Sequence, residues 1–414
     1  MEKVIDFAFS AQGYNHIKEQ KVCQDASLCF SNDVMDIIAV ADGHGSDDYP
    51  RTDRGSKFAV EAAVASTRRF VDALLADGID ISTDSNQRLE QLAKSILSEW
   101  HSSVESDLQG SPFSEAELAK VSEKYRERYL SGRMPEKAYG TTLIMACITR
   151  QFWFGIQIGD GKCVALDANC GTSEPIPWDD SCQANITTSI CDSDAISEFR
   201  YYYSRELPLA VFMGSDGIDD SYPSQEDYHS LYRSMVLLFD ENGEAKGKKE
   251  LQEYLPSLSR KGSGDDVSVA GILSPELFHE KTVKLLKAIN IHSKAVEEHG
   301  RKANEAKIAS ERLDYVLAAI KRAKMAYESA LEKEKGFRED IERSQIALEE
   351  AEQRLKESEA ALAEAKTAFL AKPESPEVPM PSLDFSNDDS PSNSDVSCVP
   401  QPSLTLDSDS NYIG

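Results

Sequence analysis

Basic residues are scarce in this chain: 45 Lys and Arg stand against 72 Asp and Glu, a formal net charge of -27 over 414 residues. A nucleic-acid-binding surface needs clustered cations, so no nucleic-acid partner is expected, whereas an acidic surface suits a protein that takes up cations. Long apolar runs are also missing. No stretch reaches the roughly eighteen residues needed to cross a bilayer. The N-terminus MEKVIDFAFSAQG lacks the basic-then-apolar order of a signal peptide, so a cytoplasmic protein with no membrane partner is expected. The eight cysteines, Cys23, Cys29, Cys147, Cys163, Cys170, Cys182, Cys191 and Cys398, include no C-x-x-C pair. That spacing speaks against a zinc knuckle or a disulfide scaffold and for reduced thiols used as small hydrophobes.

Composition divides what is present into three parts: a mixed globular region over residues 1–275, an Ala/Glu/Lys/Leu-rich region over 276–371, and a Pro/Ser/Asp-rich tail over 372–414. Within the first, short apolar runs predict strands at Met35–Ala41, Thr142–Ile148, Phe152–Ile158, Leu209–Met213 and Val267–Leu273. Apolar residues three and four apart predict helices over Phe58–Leu75, Leu89–Leu97 and, less regularly, Tyr228–Phe239. Strands and helices do not alternate strictly, so the expected class is α+β.

The second region carries a heptad seam from Ala306 through Leu313, Ile320, Tyr327, Ile341, Leu348, Leu355 and Leu362 to Phe369, interrupted only at Glu334 and Gly336. A single helix of this length would overrun a domain of ordinary size, which favours a coiled coil over an amphipathic helix lying on the globular part. The interruption leaves two architectures open, a continuous rod and a hairpin folding back near Lys335, with the unbroken register favouring the rod. Residues 300–371 are thus expected to bind a protein partner or a second copy of the chain. The tail has acidic residues, no Lys or Arg and few large apolar groups, and is expected to be disordered.

Acidic residues in the globular part repeatedly follow or precede an apolar run beside glycine: Asp42 in ADGHG, Asp160 in GDG, Asp216 in SDGIDD, and Asp265 with Asp266 in GSGDDVSV. One Asp-Gly after a strand is most simply a turn. Four in one domain predict a cluster, and clustered carboxylates stay ionised only with a cation among them. Ligands that are all oxygen imply a hard ion, Mg2+ or Mn2+. Two such ions could share Asp42 with a water or hydroxide between them, an arrangement suited to in-line attack on a phosphate ester.

The motifs CQDA (Cys23–Ala26), VADGHG (Val40–Gly45), YGTTLIMACI (Tyr139–Ile148), GDGKCVAL (Gly159–Leu166), GSDGIDD (Gly214–Asp220) and GSGDDVSVAGI (Gly262–Ile272) resemble, in order and wording, the protein phosphatase 2C (metal-dependent PPM) family, in its bacterial form. The resemblance spans about residues 5 to 275. It implies a metal-dependent serine/threonine phosphatase built as two packed antiparallel β-sheets flanked by helices. It also implies roles. Asp42 would bridge two metals, with the Gly43 carbonyl as a further ligand, and Asp216 and Asp265 would hold the first ion. Asp25 would support the second through water, Asp160 and Asp220 would bind a third, and His44 would act as general acid to the leaving oxygen.

Two positions depart from the family pattern. Gln24 precedes Asp25 where many members have Glu, and Gln20 occupies the place of an Arg that anchors substrate phosphate; Lys21, Lys18 or His16 could replace it. These departures support the runner-up reading, a pseudophosphatase that binds phosphoprotein or kinase. A third reading makes the coiled coil the working part and the head vestigial.

Overall fold

The structure, a computed structural model, describes residues 4–182 and 186–370. Two compact units are present, Met1–Ser310 and Glu311–Gly414. In the first, the strands are β1 (Ile5–Ala11), β2 (Ala26–Ser31), β3 (Met35–Ala41), β4 (Leu143–Thr149), β5 (Trp153–Ile158), β6 (Lys162–Leu166), β7 (Thr172–Ser173), β8 (Arg200–Ser204), β9 (Ala210–Gly214) and β10 (Val267–Leu273). They form two five-stranded sheets, ordered β1-β10-β9-β6-β7 and β2-β3-β4-β5-β8, with every pairing antiparallel. The helices are α1 (Tyr14–Glu19), α2 (Thr52–Ala76), α3 (Ser85–Gly110), α4 (Glu115–Leu118), α5 (Glu123–Leu130), α6 (Ala195–Glu198), α7 (Asp216–Asp219), α8 (Gln225–Lys261) and α9 (Glu280–Leu370).

Alternation along the central strands explains the layering. Met35, Ile37, Ala39 and Ala41 of β3 face one core with Ala59, Val60, Leu92, Ile96 and Trp100 of α2 and α3, while Ile38 and Val40 face a second core between the sheets. On β10, Ala270 and Ile272 enter that inter-sheet core. Val267, Val269 and Leu273 meet a third core with Tyr232, Met235 and Phe239 of α8 and Leu286 of α9. Strands buried on both faces read as continuous apolar runs rather than alternating ones, which is why MDIIAVA and VSVAGIL were conspicuous. The result is a sandwich of two sheets with helices outside, the α+β arrangement that the resemblance implied.

All five predicted strands form, Met35–Ala41 and Val267–Leu273 with the same bounds and the others shifted by one residue at their starts. The three predicted helices lie within longer ones. In α2 the run of small residues lets Ala59, Ala62 and Ala63 bury against the sheet at helical spacing. The span of α8 is two helices, broken where Gly243 takes φ 71°. The compositional change near residue 275 falls inside the first unit, where Val283 and Leu286 of α9 are buried.

In the second unit α9 continues through Glu334, Lys335 and Gly336 without a break, so no hairpin forms there. Every described side chain from Glu311 to Phe369 is exposed. The tail expected to be disordered, residues 372–414, lies outside the described residues. Among the described residues no helix is long and apolar enough to cross a membrane.

Candidate active site

Strand register brings the acidic motifs to one end of the sandwich. Ala26, the first residue of β2, pairs with Ala41, the last of β3, which sets Asp25 beside Asp42. In the facing sheet β9 ends at Gly214, paired with both Lys162 at the start of β6 and Val269 near the start of β10. Asp216, Asp160 and Asp265 therefore emerge at the same edge. Sequence segments far apart thus converge because antiparallel neighbours bring ends of strands to beginnings of others.

The loop after β3 is tied down over its length. Thr142 donates its N–H to the Asp42 carbonyl (2.8 Å), Asp42 donates its N–H to Thr142 Oγ1 (3.0 Å), and Thr141 Oγ1 donates to the same Asp42 carbonyl (2.8 Å). His44 N–H donates to the Gly140 carbonyl (3.2 Å), which also accepts from Thr52 Oγ1 (2.6 Å). Gly43 is required by crowding: a Cβ there would collide with Thr52 Oγ1 and lie 2.5 Å from the Gln24 carbonyl oxygen.

Electrostatics mark the place where these segments meet. Burial pushes the Asp42 carboxyl well above the usual range, and the charges of Asp25, Asp216 and Asp265 add to it. Burial raises Asp216 to about 6, although its hydrogen bond with Asp42 lowers it, and Asp160, Asp265 and Asp220 raise it further. Asp25 is pushed up to about 8, chiefly by burial and then by Asp266 and Asp216. Both of its carboxylate oxygens are buried with no hydrogen bond of normal geometry, and only the Ser268 and Ser215 hydroxyls act to lower it. At the flank, burial raises Asp160, with Asp220 contributing, and Asp220 itself stands exposed.

A hard divalent cation fits this donor set. The donors are all oxygen, and the orphaned oxygens of Asp25 need either a proton or a cation. Asp42 and Asp216 meet directly, whereas Asp265 turns aside: its Oδ1 accepts from the Asp266 N–H (2.8 Å) and lies 3.6 Å from His16 Nε2. His16, Asp265 and Asp266 are the one group of three or more His, Cys, Asp or Glu among the described residues whose ligand atoms all lie within 4.8 Å of one another.

Several supporting roles escaped the reading of the sequence, including that of Asp266, which was counted only among the acidic residues. Asp266 accepts from the backbone N–H of Gly13 and of Gln24, both at 2.5 Å, and its Oδ1 lies 2.9 Å from His16 Nδ1. It thereby clamps the segment carrying Asp25 to the start of β10; the doubled Asp of GSGDD was its only signal. Asp219, next to the residue the sequence singled out, is raised to about 8, mainly by burial and against the opposing charge of Lys162 4.0 Å away. Its inward position comes from the single turn of α7, which a motif does not display.

His44 is closed in from the stretch Asp167–Arg200. Its Nε2 lies 2.7 Å from Ser189 Oγ, and Ser189 Oγ donates to the Thr141 carbonyl (3.0 Å), so the imidazole carries its proton on Nε2. Burial lowers His44 to about 4, against the charge of Asp192, which keeps the ring neutral. From the same stretch Thr188 Oγ1 accepts from Gly159 N–H (3.0 Å) and Ile190 N–H donates to the Thr141 carbonyl (3.0 Å). This segment therefore packs on the site instead of forming a detached insertion. Of the candidate phosphate anchors, Lys18 lies over the Tyr14 ring, His16 is held by Asp266, and Lys21 Nζ pairs with Glu19 at 3.1 Å and donates to the Gly45 carbonyl at 3.4 Å.

Residues 12–256 match the sequence profile of a family described as protein phosphatase 2C. No curated protein matches the chain. Among solved structures it is similar to PppA, a regulatory component of T6SS in Pseudomonas aeruginosa, at 16% identity over 66% of this chain and 99% of that one, with a TM-score of 0.40. Stp1, a serine/threonine phosphatase from Staphylococcus aureus, is similar at 15% identity over 66% and 95%, TM-score 0.41. The Mycobacterium tuberculosis serine/threonine phosphatase PstP/Ppp is similar at 14% identity over 66% and 99%, TM-score 0.38.

Proposed function

Because the chain belongs to the protein phosphatase 2C family, we propose that it hydrolyses phosphoserine and phosphothreonine in proteins with the help of bound Mn2+ or Mg2+. The observation that carries this reading is the meeting of Asp25, Asp42 and Asp216 at one end of the sandwich, Asp42 and Asp216 in contact and Asp25 fully buried, with Asp265 at the same edge but turned to His16 and Asp266. Asp42, the Gly43 carbonyl, Asp216 and Asp265 would hold two ions, Asp25 would support the second through water, and Asp160 with Asp220 would take a third. Bound there, the ions would supply a water of lowered pKa and polarise the phosphoryl oxygens.

The remaining steps belong to side chains of this chain. Lys21, beside the DGHG loop, is assigned to the substrate phosphate in place of the Arg that the family often uses. His44 would transfer its Nε2–H hydrogen bond from Ser189 to the leaving serine or threonine oxygen, and when protonated would pass it a proton. Thr188, Ser189 and Ile190 keep the wall of the site in place and limit water around the leaving group. We place this chemistry in the cytoplasm, with residues 300–371 docking a protein partner or a second copy so that a chosen phosphoprotein is presented at raised effective concentration.

Hydrolysis of a phosphothreonine peptide should require Mn2+ in the wild type and be lost in Asp42→Asn and Asp216→Asn. Turnover that persists in chelator, or in both variants, would remove the metal-site assignment. The pseudophosphatase reading has its own support: Gln24 stands where the family often has Glu, and its Oε1 is buried with no partner. Calorimetry separates the two readings, since a pseudophosphatase should bind Mn2+ feebly or at one site.

A further inference from the structure

From Glu311 to Phe369 the chain presents a long helical face that the catalytic chemistry does not use. Large apolar side chains on it are open to solvent: Ile320 is 58% exposed, Ile341 57%, Leu348 59%, Leu355 58%, Leu362 55% and Phe369 89%. These six share one core position of the heptad. The other core position holds small residues in the same stretch, Ala323, Ala330, Ser344, Ala351, Ser358 and Ala365, with Phe337 as the exception.

That division of sizes selects the direction of pairing. In a parallel pair each core position meets itself, so layers of two large side chains would alternate with layers of two small ones, leaving gaps. In an antiparallel pair each large position meets a small one, and the layers fill evenly. We propose that residues 323–369 pair with the same segment of a second copy of this chain as an antiparallel coiled coil, with Leu348 of one copy opposite Ser344 of the other. In that register Ile341 faces Ala351, Leu362 faces Ala330, Phe369 faces Ala323 and Tyr327 faces Ala365; two layers depart from the pattern, Leu355 on Phe337, which is crowded, and Glu334 on Ser358, which is polar.

Flanking charge is compatible with the same register. Arg338 of each copy comes beside Glu352 of the other, and Asp340 beside Arg354, and each pair occurs twice by the two-fold symmetry. Lys324 meets Lys366 near the ends, one unfavourable pair against two favourable ones. Sliding by one heptad so that Ile341 faces Ser344 exchanges both favourable pairs for Lys324 with Glu359 and sets Lys333 beside Arg354, while sliding the other way, so that Ile341 faces Ser358, leaves one favourable pair, Arg338 with Glu359. The overlap is about 70 Å long at ~1.5 Å per residue. A strip about 10 Å wide on each helix buries roughly 1,400 Å² in total, within the range of stable interfaces. This inference takes the docking role of residues 300–371 to a single occupant, and the phosphatase reading neither needs it nor falls with it.

Sedimentation of the full chain should give a dimer at micromolar concentration, reduced to monomer by Leu348→Arg. With a bis-maleimide of ~10 Å reach, Gln345→Cys should join to itself above the background of the unsubstituted chain. Ala330→Cys should not, because its copies lie about 50 Å apart along the pair. Arg338→Glu should weaken the dimer about tenfold, and adding Glu352→Arg should restore it. A wild-type monomer, a dimer indifferent to Leu348→Arg, self-linking through Ala330→Cys, or no rescue by the double reversal would each overturn the proposal.

Discussion

Replacing Asp42 by Asn should abolish metal-dependent turnover and, at the same time, make the metal-free protein more stable. In the absence of a cation Asp42 is in hydrogen-bond contact with Asp216 and within the fields of Asp25 and Asp265, with burial the largest factor against its charge. Two full charges at ~4 Å repel by about 4 kcal/mol at an effective dielectric of ~20. Sharing a proton relieves part of that repulsion, leaving a cost of about 2 kcal/mol at neutral pH. Asn keeps the shape and the hydrogen bond to Asp216 but carries no charge. At roughly 2 °C per kcal/mol for a unit of this size, the chelator-treated variant should melt about 4 °C above chelator-treated wild type. Saturating Mn2+ should reverse the order, because only the wild type gains binding energy on the folded side. Differential scanning calorimetry of both proteins, with chelator and with Mn2+, reads all four values. A metal-free variant less stable than wild type, or one stabilised by Mn2+ as strongly as wild type, would refute the view that Asp42 is held in the fold for a cation.

Gly43→Ala should cost about 1–3 kcal/mol and weaken the Mn2+-induced rise in melting temperature, since its Cβ would drive the Gln24 and Thr52 segments apart; an undiminished rise would show that the close approach is not needed. Arg51, fully buried, donates to Glu117 (2.8 Å), Asp107 (3.1 Å) and Tyr139 Oη (2.7 Å), so Arg51→Met should destabilise the first unit by about 3–5 kcal/mol, measured by urea titration. The Arg51 hydrogen bond holds Glu117 down to about 2. Its folded value lies below the unfolded one, so its contribution is present above pH ~4.5 and is lost as the pH falls toward ~2. Because Glu117 is partly exposed, that contribution is reduced by screening to about 1–2 kcal/mol, and the acid limb of the stability profile should be correspondingly shallower in Glu117→Gln.

The sequence displayed the fold most clearly where both faces of a strand are buried. Met35–Ala41 and Val267–Leu273 are apolar throughout because helices cover one face and the opposite sheet the other. The strand β2, with every residue only partly buried, and β8, RYYYS at the edge of its sheet, carry no such run and were passed over. The short helix α7 was equally invisible, and the break at Gly243, where the glycine takes φ 71° with open space around it, was passed over. For α9 the situation is reversed. Its heptad seam was countable, and the straight passage through Glu334–Gly336 follows from helix propensity in the flanking Ala, Glu and Lys, against which one exposed Gly costs only about 1 kcal/mol.

The candidate site divides along the same line. Of the residues that would meet a metal, Asp42, Asp160, Asp216 and Asp265 stand beside glycine next to a strand end, where the chain must turn. The residues that hold them are different in kind. Asp266 fixes Gly13 and Gln24 from more than two hundred residues away, and Ser189 meets His44 across 145. Neither contact has a spacing, because each is made by the register of the sheets rather than by a local motif. The same reasoning accounts for Gln20. Its backbone caps α1 in the left-handed region at φ 58°, and its N–H serves the carbonyls of that helix. A position committed to ending a helix has no rigid element from which to reach a phosphate, so the anchoring cation must come from a neighbour. Lys21, next in sequence, reaches the Gly45 carbonyl and pairs with Glu19 at 3.1 Å, and it is the neighbour we propose for that task.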